Sequence, residues 1–343
     1  MYKAHLIPNI KHISDEKLSQ IKALKHVSNF IQAASNQAAY DDSLSVPLKS
    51  AGQLLSSNFG SVDKNISNLV STDRRVVPFL RSQLFIALIA SLEDYFSQIM
   101  KEILISFPEK ITTKKIDKSL IIESSNKLQS IEKLAFEMIM DILYKSPSEY
   151  RKEFEKITST KPDLLEPYWE SYVEMKATRD TGMHGGWKVN QKYLEKAGKK
   201  ARNKVDGSFL QITKDYFDEA LILGEQIVIS ILKHISEKFK ACTYSFVFQE
   251  MWNKSSLSSV VSFDQAWRIE SNYMVRPREN FSWGWSHSET MMFNFFKSIY
   301  HDEDSMPPLT KLFQRLAKTD VNIINSWLEA PFFFGDILKD PLK

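Results

Sequence analysis

The stretch T-R-D-T-G-M-H-G-G-W-K, residues 178–188, sets Arg179 five positions before His184. An imidazole with an ordinary pKa of about 6.5 can both accept and donate protons near neutrality. A guanidinium stays charged and can grip a phosphate through two parallel hydrogen bonds. The pair suits phosphoryl chemistry in which fixed positive charge, rather than a metal, meets the charge that develops in the transition state. Asp180, next to Arg179, can orient or polarise the pair. A plainer reading stands beside this one. Arg179 is then a surface residue, His184 is favoured near a helix C-terminus by the dipole, and Gly185 is an ordinary cap.

Geometry limits the chemical reading. Five positions at 3.6 residues per turn place two side chains about 140° apart around a helix. For Arg179 and His184 to act on one phosphate, the helix must be distorted near Gly182, or Arg179 must reach back.

The elements that position this stretch are helical. Leu84, Leu88, Leu92, Tyr95, Phe96 and Ile99 recur at steps of three and four, which predicts a helix over 78–107 that stops before Pro108. Further helices are predicted over 124–145, with a stripe of Leu128, Ile131, Leu134, Ile139, Ile142 and Leu143, and over 164–184. A fourth is predicted over 208–240, with Phe209, Ile212, Phe217, Leu221, Ile227, Val228, Ile231 and Ile235 inward. Four long amphipathic helices make a bundle over residues 77–241. Residues 1–76 read as an N-terminal helical extension, with helices over 15–39 and 45–58 and a loop or linker over 56–71. Residues 242–343 read as a small C-terminal α+β domain. In it T-Y-S-F-V-F (243–248) and F-S-W-G-W-S-H (281–287) are expected as strands, and 288–300 and 308–318 as helices. The fold class is therefore mainly α.

Arg179-Asp180-Thr181-Gly182-Met183-His184, late in the third helix of such a bundle, resembles the Rx4-6H motif of the HEPN superfamily. The polar residue directly after the arginine fits that family, and S-L-E-D-Y-F at 91–96 looks like its first core helix. The resemblance covers residues 78–240 and implies a metal-independent endoribonuclease without a cofactor. It implies a homodimer in which two motifs face one composite cleft. His184 is then the general base or acid on the RNA 2′-hydroxyl or the leaving oxygen, Arg179 holds the scissile phosphate, and Asp180 orients them. The products carry a 2′,3′-cyclic phosphate and a 5′-hydroxyl. Members of the family serve as toxins or antiviral defence effectors, so an antitoxin or defence-system partner is implied. The sequence departs from the R-x4-H-x-Y variant of toxins paired with a nucleotidyltransferase antitoxin. Gly186 stands where that tyrosine falls, and the nearest tyrosine is Tyr193. A catalytically inactive RNA-binding, dimerisation or scaffold module is the alternative.

Past the motif, Lys188, Lys192, Lys196, Lys199, Lys200, Arg202 and Lys204 are opposed only by Glu195. They read either as a phosphate-tracking strip for RNA or as a solvated face. Glu93 and Asp94 on the first core helix can meet Arg179 across the bundle or face solvent. Arg276 and Arg278, interleaved with aromatics over 274–285, suit single-stranded nucleic acid or a half-buried strand. His301-Asp302-Glu303-Asp304 has no second cluster to complete a metal site and reads as an acidic loop.

The bulk numbers agree with a helix-rich chain. Of 343 residues, 43% are hydrophobic and 25% charged, with 10 Gly and 12 Pro. A net charge of +3 does not by itself imply nucleic-acid binding. One cysteine, Cys242, excludes an intramolecular disulfide and a cysteine-based zinc site, and fits a cytoplasmic setting. The N-terminus lacks an apolar signal-peptide core, and the longest apolar run, Leu84 to Ala90, is too short for a membrane span. P-loop, GxGxxG, HExxH and GxSxG patterns are absent, which removes the usual signatures of nucleotide hydrolysis, zinc peptidase and serine hydrolase chemistry.

Overall fold

The computed structural model describes residues 2–38, 76–112, 127–161, 164–270, 274–278, 281, 284–301 and 308–334. The expected helix over 45–58, the loop over 56–71 and the acidic residues 302–304 lie outside the described residues. The protein is mainly helical, with one small two-stranded sheet among the described residues. None of its described helices is long and apolar enough to cross a membrane.

Contacts divide the chain into two compact units that are not consecutive in sequence. One comprises residues 12–101 and 136–234, the other residues 1–11, 102–135 and 235–343.

The unit of 12–101 and 136–234 carries the motif. Its helices come from α1 (Leu6–Ala38), α2 (Val76–Ser106), α3 (Lys127–Leu143), α4 (Pro147–Thr158), α5 (Glu166–Gly185), α6 (Gln191–Ala197) and α7 (Lys214–Lys238). The 3.6-residue repeat in α2 buries Leu88, Leu92, Tyr95, Phe96 and Ile99, as the pattern predicts, while Leu84 is only half-buried and its neighbour Phe85 takes the core position. In α7, Phe217, Leu221, Ile227, Val228 and Ile231 are buried. Gly224 faces Ile21 and Leu92, where an added Cβ would stand 3.4 and 3.5 Å away, at ordinary contact distance, as α7 packs against α1 and α2. Lys17 is buried on α1 and pairs with Asp94 at 3.1 Å, which removes Asp94 from the Arg179 cluster.

Two local predictions fail here. Residues 208–213 are not the first turns of α7. They run extended, with Val189 N–H donating to Ser208 O at 2.8 Å and Leu210 N–H to Trp187 O at 2.7 Å. Gly207, at φ 74°, turns the chain into this pairing. Phe209 consequently points outward and is 61% exposed. The second miss is α4, for which no helix is predicted. Its signal is present in S-P-S-E: Ser146 and Glu149 form a capping box and Pro147 fills the first turn.

The other unit has an aromatic core built on Phe248, Trp252, Trp267, Phe295, Phe296 and Trp327. Both strands expected there are overturned. Residues 243–248 enter α8 (Tyr244–Lys254), because Val247, Phe248, Met251 and Trp252 continue a helical stripe beyond the short window that reads as a strand. Residues 284–286 are irregular, and Phe281 and Trp285 pack instead with Phe293, with ring centroids 5.8 and 5.2 Å from it. Ser286 and Glu289 cap each other's backbone and start α10 (His287–His301), after the short α9 (Phe263–Ala266). The two strands lie elsewhere: β1 (Trp267–Ile269) pairs antiparallel with β2 (Val275–Pro277). Arg268 opposes Arg276 across this ribbon, and Glu270 lies 3.5 and 3.8 Å from them. Arg278 donates to Asp264 O at 3.0 Å. The helix predicted over 308–318 is shorter, α11 (Leu309–Arg315), and α12 (Lys318–Glu329) follows it unforeseen.

Candidate active site

The motif sits in the last two turns of α5. Pro167 and Glu166 start this helix, and His184 lies in its final turn, where a cation suits the dipole. The helix stays α-helical through Gly185. It ends at Gly186, whose φ of 60° is left-handed and whose N–H reaches back to Thr181 O. Trp187 follows at φ 62°, and its N–H also donates to Thr181 O, at 3.2 Å.

The distortion expected near Gly182 is absent, and the glycine has a different task. A Cβ at Gly182 would stand 2.6 Å from three atoms of the Trp187 indole. The missing side chain is the seat of that ring, which folds back over the helix from the left-handed turn. Gly182→Ala is therefore expected to displace the indole and to cost about 1–3 kcal/mol by overpacking. Urea unfolding checks this, and a variant as stable as wild type would show that the ring moves freely.

With the helix regular, Arg179 and His184 diverge and line different cavities. Arg179 pairs with Glu93 of α2, which also takes Lys176 one turn earlier. Of the two readings left open for Glu93 and Asp94, Glu93 takes the one that meets Arg179, while Asp94 does not join. The Arg179 side chain is only 15% exposed, and its Nε lies 3.4 Å from Asp180 Oδ1. His184 is exposed and opens into a cavity of about 410 Å³ with Asp180, Asn190, Lys192, Tyr193 and Lys196. Asp180 and Lys196, themselves 3.1 Å apart, line both His184's cavity and Arg179's. They are the physical link between the two motif residues within one chain.

The basic run is broken up. Lys192 reaches His184's cavity. Lys199 and Lys200, exposed on a 3₁₀ turn, line a separate cavity of about 640 Å³. Lys188 is exposed beside the extended pairing with Phe209. Arg202 is an exposed residue whose side chain, 23% exposed, lies back on the protein. Its Nε donates to Glu174 at 3.3 Å, its Nη1 donates to Gln211 O at 2.9 Å, and its guanidinium lies 3.6 Å from the Tyr216 ring centre.

Glu174 itself escaped the sequence reading. It is buried on α5 and accepts hydrogen bonds from Thr178, Tyr193 and Tyr216 at 2.8, 2.8 and 2.7 Å. Burial first, and then the Glu174 charge, hold the Tyr216 phenol well above its ordinary value, so it remains a donor. This network fixes α6 and α7 against α5 and thereby places Lys192 and Lys196 beside His184. Also unforeseen is the aromatic wall of Arg179's cavity, made by Tyr150, Trp169 and Tyr172. A capping box just before Tyr150 was the available signal for the first of these. Among the described residues no group of three or more His, Cys, Asp or Glu could hold a metal ion. No family model matches this chain, and neither a curated protein nor a solved structure matches it.

Proposed function

We propose that the chain is a metal-independent endoribonuclease of HEPN type, with residues 77–241 as a HEPN-like four-helix core. One observation carries the reading. An exposed histidine at the end of α5 shares Asp180 and Lys196 with the cavity that holds a partly buried arginine. His184 takes the proton of an RNA 2′-hydroxyl, and the freed oxygen attacks the adjacent phosphorus. The bond from phosphorus to the 5′-oxygen breaks, and that oxygen takes a proton from the matching histidine of a second copy of the chain. Arg179, Lys192 and Lys196 supply positive charge to the phosphate as it gains negative charge. Asp180 holds Lys196 in place. A homodimer brings the second motif to the cleft, and the setting is that of a toxin or antiviral effector in the cytoplasm.

One observation favours a second reading, an inactive RNA-binding or scaffold module. Arg179 already has a carboxylate partner in Glu93 and does not share a cavity with His184. End analysis of RNA incubated with the purified protein separates the two. The ribonuclease reading expects 2′,3′-cyclic phosphate and 5′-hydroxyl ends at a rate unchanged by EDTA. Intact RNA, or cleavage abolished by EDTA, rejects it.

A further inference from the structure

We propose that the cavity walled by Tyr150, Trp169 and Tyr172 is a nucleobase subsite that takes one ribonucleotide. Its volume of about 790 Å³ is in the range of small-molecule sites. Its inner wall is aromatic: Tyr150 and Trp169 stack with ring centroids 6.1 Å apart and planes 13° from parallel. Tyr144, 84% exposed, offers a further ring at the lining. A flat, partly apolar ligand fits such a wall.

The second observation is a buried hydroxyl. Tyr150 is 7% exposed, its Oη is shielded from solvent, and that oxygen has no hydrogen-bond partner in the protein. Buried polar groups are nearly always satisfied, and this one, carried by a wall residue but set behind the cavity's surface, is left to pair with a ligand group that presses in beside the ring. Burial pushes the Tyr150 phenol up, with the Glu93 charge adding to it, so the group is neutral and can donate or accept. The edge of a base offers both kinds of partner.

Charge supplies the rest. Lys145, Lys176, Arg179 and Lys196 line the cavity against Glu93, Asp94 and Asp180. The small excess of cations favours a ligand that joins a ring to an anion, which is the composition of a nucleotide. The choice of a nucleotide rests on the ribonuclease reading, because Asp180 and Lys196 also line His184's cavity. A base held here belongs to the nucleotide next to the bond that His184 acts on. The same chemistry is presented by a free nucleoside monophosphate.

Two probes test the subsite on the full chain. One is each of the four ribonucleoside 5′-monophosphates by titration calorimetry. The other is a set of fluorescent 2′-O-methyl RNA octamers, which cannot be cleaved through the 2′-oxygen, by anisotropy. Tyr150→Phe removes only the hydroxyl and is expected to weaken binding about 2- to 10-fold. Tyr144→Ala removes a stacking ring and is expected to weaken it about 5-fold or more. Melting of Tyr150→Phe is expected at or above wild type, because the variant loses an unpartnered buried hydroxyl. Binding of the monophosphates assigns the subsite to a free nucleotide, and binding of octamers alone assigns it to the RNA chain. Failure of both probes to bind, or equal affinities in wild type and both variants, overturns the proposal. His184→Ala keeps the binding of the monophosphates, because His184 does not line this cavity. If that variant also cleaves RNA as wild type does, the ribonuclease reading fails while the subsite stands.

Discussion

His184→Ala is expected to lower RNA cleavage by about 10²- to 10⁴-fold, the range that a positioned acid or base contributes. The variant is clean because the His184 side chain is exposed and makes no hydrogen bond among the described residues. Removing its ring from the last turn of α5 is therefore expected to shift stability by no more than about 0.5 kcal/mol. The comparison has to be made on cleavage rate and on melting together. A rate lost with the melting curve unchanged assigns the imidazole to the chemistry. Cleavage, growth inhibition and RNA integrity that match wild type would remove His184 from the mechanism. Arg179→Ala is the less informative partner experiment. It also strips Glu93 of one of its two cations, so a lost rate would mix chemistry with local rearrangement of α2 against α5.

The long helices α2 and α7 were legible because each carries a stripe of large apolar residues, whereas α1 was legible only in part, since it starts at Leu6 and not near residue 15. Leu88, Leu92, Phe96 and Ile99 declare the buried face of α2 with no help from tertiary structure. The extended segment 208–213 was not legible, because its conformation is decided by backbone pairing with residues 187–189. Phe209 looked like one more member of the α7 stripe, and only the turn at Gly207 shows otherwise. The strand expected over 243–248 failed because a six-residue window cannot separate a buried helix from a buried strand. At the site, residue type and order were legible but orientation was not. Nothing in R-D-T-G-M-H says that Gly182 seats Trp187, or that Glu93 claims Arg179. The basic run shows the same limit. Its lysines stay in water as their hydration favours, while Arg202, exposed as a residue, lays its guanidinium against a buried carboxylate and a tyrosine ring.

Glu174→Ala is expected to destabilise the protein by about 3–5 kcal/mol, the cost of leaving several buried hydroxyl donors without their acceptor. The Glu174 side chain is 4% exposed, so water cannot take over from it. Its loss strands the Tyr193 and Tyr216 hydroxyls, the Thr178 hydroxyl and the Arg202 Nε together. These donors come from α5, α6, α7 and the connection between the last two, so the damage spreads over the region that holds Lys192 and Lys196. Glu174→Gln keeps one acceptor oxygen and the side-chain length, and is expected to fall between alanine and wild type. Arg202→Ala belongs to the same cycle. If Arg202 is structural, its loss destabilises, and the double variant with Glu174→Ala costs less than the two single losses added. If Arg202 instead contacts RNA, its loss weakens RNA binding and leaves melting unchanged. Urea unfolding of the four proteins decides between these outcomes. A Glu174→Ala protein within about 1 kcal/mol of wild type would show that the hydroxyls find other partners, and that α6 is not fixed by this carboxylate.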